Sequence, residues 1–80
     1  MALAQYFVLI HSNQWKIRLS GQHYGPYATK EVAIRTAVNA ANCTGQCGNH
    51  AQVLVQDANN QFHIEWTYGR DAYPPPDRPS

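Results

Sequence analysis

The amino-acid sequence predicts an α+β fold, a two-layer ββαββ sandwich in which a four-stranded antiparallel sheet carries one helix on one face. Trp15-Lys16-Ile17-Arg18-Leu19-Ser20 and Gln61 to Tyr68 alternate apolar and polar residues with the period of two that a half-buried strand requires. Between them, Ala33, Ile34, Ala37, Val38, Ala40 and Ala41 recur at helical spacing and form one stripe, opposite Arg35, Thr36, Asn39 and Asn42. The order strand, strand, helix, strand, strand lets one helix cover one face of a sheet built from two hairpins.

Gln5 to His11 reads as the first strand because aromatic and β-branched residues run together without a breaker, and Ser12-Asn13-Gln14 supplies the turn into the second. Gly21 to Tyr27 reads as a connection, since Gly25-Pro26 is a turn signal. Thr29 is placed to cap the helix through its hydroxyl, and Gly45, just past Cys43, to stop it in a left-handed conformation. Ala51 to Gln56 reads as a third strand with Val53 and Val55 inward and Leu54 outward, followed by turn chemistry at Asp57-Ala58-Asn59-Asn60. In the last strand Phe62, Ile64, Trp66 and Tyr68 are expected to face the helix, with His63, Glu65 and Thr67 on the other side. Gly69 then permits a turn, Arg70-Asp71 offers capping, and Tyr73 packs back on the domain. Residues 1–75 are read as one domain and 76–80 as a mobile proline-rich end, with Pro76-Asp77-Arg78-Pro79 formally matching a PxxP ligand.

Apolar residues make up 44% of the 80 and charged residues 14%, too apolar for a disordered chain and poor in charge for a solvated surface. The formal charge of +1 provides no long-range field to gather nucleic acid or an anionic membrane. No apolar run is long enough to cross a bilayer, and Met1-Ala2-Leu3-Ala4 lacks the basic start of a signal peptide, so a cytoplasmic location is expected.

Cys43 and Cys47 with His50 form the first constellation with chemical potential, since thiolates and imidazole are zinc ligands and His23 or His63 would be a fourth. The spacing is loose for zinc and there is no second cysteine pair. A disulfide across the helix end is the alternative, and two reduced thiols near a helix terminus is the preferred reading. No cofactor is assigned. His63 and Glu65 point the same way from one strand and could share a proton, but the sequence offers no nucleophile elbow, phosphate-binding glycine loop or carboxylate cluster. We therefore expect no enzymatic activity.

The residues Tyr6-Phe7-Val8, Trp15 and Ile17, Thr29-Lys30-Glu31 with Ala33, and Tyr68-Gly69, Asp71 and Tyr73-Pro74-Pro75 together resemble the small bacterial family known as domain of unknown function 2188. The resemblance covers nearly the whole chain. It implies a ββαββ domain and brings no established activity with it.

The first strand is apolar on both sides and the predicted helix covers only one face, so part of this apolar surface needs another partner. The expected role is that of a non-catalytic module acting by protein contact, as a homodimer or as a small inhibitor docking on a larger complex. Phage-encoded inhibitors of bacterial defence complexes include small ββαββ proteins, an analogy of fold only. Phe7, Leu9, Lys16, Arg18 and Leu54 are the expected contributors to the contact surface. The alternative is a nucleic-acid-binding module that uses the same face, with Lys16 and Arg18 beside Phe7 or Tyr6.

Overall fold

Five strands, not four, make up the sheet in the computed structural model, which describes residues 3–74. The strands are β1 (Leu3–His11), β2 (Gln14–Leu19), β3 (Gln22–Tyr27), β4 (His50–Gln56) and β5 (Phe62–Thr67), with the helix α1 (Lys30–Gln46) between β3 and β4. The spatial order is β3-β2-β1-β4-β5. Every neighbouring pair is antiparallel except β1 and β4, which run parallel, so the expected antiparallel four-stranded sheet is corrected to a mixed five-stranded one.

The parallel pair follows from the extra strand. In the meander β1-β2-β3, the third strand runs in the direction of the first, and a helical crossover returns the chain to the end where β3 began. β4 therefore enters the sheet pointing the same way as β1 and pairs along it from Leu3↔His50 to Val8↔Val55. This places β1 at the centre, with neighbours on both edges, and accounts for its unbroken run Tyr6-Phe7-Val8-Leu9-Ile10.

The segment expected to be a connection is β3. Its Gly25-Pro26 lies inside a bulge, where two steps on β2, Trp15 to Ile17, face three on β3, Tyr27 to Tyr24. An edge strand tolerates a proline because one row of its backbone donors has no neighbour.

The core lies between the sheet and α1. Tyr6, Val8, Ile17, Val53, Val55 and Trp66 from the sheet pack on Ala33, Ile34, Ala37, Val38 and Ala41 of the helix. The alanines let α1 lie close, mainly over β4 and β1. Tyr6 crosses the interface to reach the Thr44 hydroxyl at 2.6 Å. Asn42, expected on the outer side, is buried instead.

At its start the helix behaves as its sequence predicts, with the Thr29 hydroxyl accepting from Val32 N at 3.1 Å. Thr29→Ala should lower stability by about 0.5–2 kcal/mol, since that donor would lose its protein partner. A urea titration measures this, and an unchanged midpoint would mean that water replaces the cap without loss.

The other end differs from expectation. Gly45 is inside the helix and buried, and the left-handed residue after the helix is Gly48, with φ of 94°. The reason for a glycine at 45 is proximity: a Cβ there would fall onto the ring of Tyr68.

Past β5 the chain folds back as expected. Asp71 Oδ2 accepts from Thr67 N at 2.8 Å, Trp66 Nε1 donates to the Ala72 carbonyl at 2.9 Å, and the Tyr73 hydroxyl donates to Asn39 Oδ1 at 2.8 Å. The expected mobile end at 76–80, with its PxxP match, lies outside the described residues.

Candidate interaction surface

The helix covers one face of the sheet, and the strand registers define what the other face presents. On β1 the open-face positions are Leu3, Gln5, Phe7, Leu9 and His11, because Tyr6 and Val8 belong to the core. Their partners extend the face sideways. Phe7 is opposite Arg18 on β2 and Leu54 on β4, Arg18 is opposite His23 on β3, and Leu54 is opposite Ile64 on β5. One row therefore crosses the whole sheet as His23, Arg18, Phe7, Leu54 and Ile64. The adjacent row runs through Lys16 and Leu9 towards Gln56 and Phe62.

Phe62 and Ile64 were expected to face the helix with Trp66 and Tyr68. They do not, because β5 carries a bulge: Val53 faces Trp66, but the next residue, Leu54, faces Ile64, and Glu65 is the extra residue between them. The bulge shifts the alternation by one, so Trp66 and Tyr68 stay with the core while Phe62 and Ile64 join the open face. A strictly periodic reading has no means of seeing this, since an extra residue leaves no mark in the pattern itself. Ile64 is 55% exposed, Leu3 52% and Phe62 37%.

All five residues expected at the contact surface lie on this face, with different exposures. Leu9 is 8% exposed, so it forms floor rather than contact. Phe7, Lys16 and Leu54 are half-buried, and Arg18 is exposed. The Arg18 guanidinium stands over the Phe7 ring, 5.1 Å from its centroid, and the Phe7 and Phe62 rings pack edge-to-face with centroids 5.2 Å apart. Beside them, Leu3, Gln5, Phe7, Arg18 and Ser20 border an open depression of about 330 Å³ at the end of β1 and β2.

The polar half of the face holds Lys16, Arg18, His11 and His23, the two imidazoles stacked with centroids 5.2 Å apart. The carboxylates among the described residues are elsewhere. Glu31 is in the first turn of α1, Asp57 accepts from Asn59 N and Gln61 N in its own turn, and Asp71 caps Thr67 N. Glu65 is 3.4 Å from His63 Nε2.

That His63–Glu65 pair is the arrangement considered for proton transfer. His63 is open to solvent, and the depression on the face is bordered by β1 and β2, not by β5. Cys43 and Cys47 are free and exposed at the end of α1, and His50 opens β4. No group of three or more His, Cys, Asp and Glu side chains able to hold a metal ion occurs among the described residues. No helix among them is long and apolar enough to cross a membrane.

No curated protein and no solved structure matches the chain. The family model described as "Uncharacterized protein conserved in bacteria (DUF2188)" matches residues 6–68, from the first core residue of β1 to the aromatic ring that meets Gly45. That span covers most of the sequence, and the chain belongs to the DUF2188 family, as the resemblance implied.

Proposed function

We propose that this protein is a non-catalytic binding module that acts by protein contact through the open face of its sheet, as a homodimer or as a small inhibitor docking on a larger complex. The observation that carries the reading is the apolar half-row Phe7, Leu54 and Ile64, flanked by Leu9 and Phe62, which spans three adjacent strands on the face opposite the helix, with Ile64 and Phe62 exposed and Phe7 and Leu54 half-buried. Exposed apolar surface of this continuity is costly in water unless it is covered during function. A face built on strands is also rigid, which lowers the entropy lost on docking.

The reading is tested by placing a photo-crosslinking amino acid at Ile64 and, separately, at Arg35, which is exposed on the outer side of the helix. In the native host, crosslinks to protein are expected from position 64 and not from 35. Light scattering then separates the two modes, because a homodimer should dissociate on Ile64→Lys. Crosslinks predominantly to nucleic acid, or equal labelling from both positions, would overturn the proposal.

A further inference from the structure

We infer that the occupant of the open face is an amphipathic helix of a foreign protein, apolar along one stripe and acidic along one flank. This rests on the open-face reading above and deepens it. The face is graded across the strands: β1, β4 and β5 supply Phe7, Leu9, Leu54, Phe62 and Ile64, while β2 supplies Lys16 and Arg18. Neither cation has a carboxylate partner among the described residues. A covering surface must therefore be apolar over β1, β4 and β5 and must offer negative charge over β2, since a cation covered without a counter-charge loses its hydration with nothing in return.

A second copy of the chain matches this poorly. Its open face carries the same cations, and of the carboxylates among the described residues Asp57, Glu65 and Asp71 are already engaged within their own chain, while Glu31 belongs to the opposite layer. Face-to-face pairing would cover the cations of both copies without a carboxylate from the described residues of either open face. A single-stranded nucleic acid would satisfy the cations but needs open ring faces for stacking. Phe7 has Arg18 over its ring and pairs edge-to-face with Phe62, which leaves Phe62 as the exposed ring of the apolar half, and Leu9, Leu54 and Ile64 offer no stacking surface.

Helix-on-sheet packing is favoured over strand addition. At the β3 edge Pro26 and the bulge interrupt the ladder, and at the β5 edge Asp71 occupies the Thr67 N–H. A helix laid on the face presents apolar residues at i, i+3, i+4 and i+7, and its flanking carboxylates reach Lys16 and Arg18. The depression bordered by Phe7 and Arg18 receives one apolar anchor beside that flank.

The test titrates the isotope-labelled protein with two synthetic helical peptides of roughly five turns that share one Leu/Phe stripe. One carries Glu along a flank and the other carries Lys at the same positions. The acidic peptide should move the amide resonances of Phe7, Leu54 and Ile64 and bind at least about tenfold tighter than its basic twin. Combined Lys16→Glu and Arg18→Glu should invert that preference. Equal or tighter binding of the basic peptide to the wild-type protein would overturn the acidic flank, while photo-crosslinks from position 64 would still stand for the general reading. Binding of oligothymidylate in place of either peptide would assign the face to nucleic acid. A concentration-dependent dimer that Ile64→Lys dissociates would assign it to a second copy. Lack of response to both peptides would refute the helical occupant.

Discussion

Trp66→Ala should leave much of the population unfolded at room temperature. Trp66 is 2% exposed, contacts Tyr68 and Tyr73 edge-on, and donates its indole N–H to the Ala72 carbonyl. Removing a buried tryptophan costs about 3–5 kcal/mol, comparable with the whole net stability of a domain this small. The loss is concentrated because one side chain ties three segments together: the end of β5, the folded-back chain at Ala72 and Tyr73, and the core under α1. Trp66→Phe separates the contributions. It keeps a ring in the core and removes only the indole hydrogen bond and part of the volume, so its cost should be nearer about 1–2 kcal/mol. Urea unfolding followed by circular dichroism reads both variants without relying on tryptophan fluorescence. A Trp66→Ala transition within about 1 kcal/mol of wild type would show that the core closes without this residue.

The same region shows how far the sequence was legible. The elements with strong periodic patterns, β2, α1 and the core positions of β4, were readable because burial on one face imposes a period that the residues must follow. The Thr29 cap was readable because its chemistry is local. β3 was not. Gln22, His23, Tyr24, Gly25 and Pro26 are all exposed at an edge, so no burial constraint writes a pattern into them, and Gly-Pro outweighed the weak strand signal. Missing β3 also hid the parallel pairing of β1 with β4, since strand direction follows from the number of preceding reversals.

The open face was legible in part, and for a related reason. Phe7, Leu9 and Leu54 stood out because they are apolar at positions that alternation assigns to the uncovered side. Phe62 and Ile64 were hidden by an assumption of unbroken alternation that the Glu65 bulge violates. The bulge has a consequence for the surface: it lets a single strand give Trp66 and Tyr68 to the core while adding Phe62 and Ile64 to the open face. Without it, the apolar row would end at Leu54 and the face would be narrower by one strand.

Gly45→Ala should destabilise the protein although alanine is the better helix former. In an isolated helix the change would gain about 1 kcal/mol. Here the new methyl would overlap the Tyr68 ring, which is half-buried against the core at the point where Tyr68 N donates to the Ala51 carbonyl at 2.9 Å. That hydrogen bond holds the backbone of Tyr68 in the sheet, so relief requires either a ring rotation into packed neighbours or a displacement of the last turns of α1. Overpacking of this kind costs about 1–3 kcal/mol, and direct overlap with a ring places it towards the upper end. A net loss of about 2 kcal/mol is therefore expected once the helix gain is subtracted. The physical claim is sharpest in a double-mutant cycle. In a Tyr68→Ala background the obstacle is gone, and Gly45→Ala should become neutral or stabilising by up to about 1 kcal/mol, a coupling far outside additivity. If Gly45→Ala instead stabilises the protein with Tyr68 in place, glycine at this position serves only as a helix-end residue, and the close approach of α1 to the end of β5 is wrong.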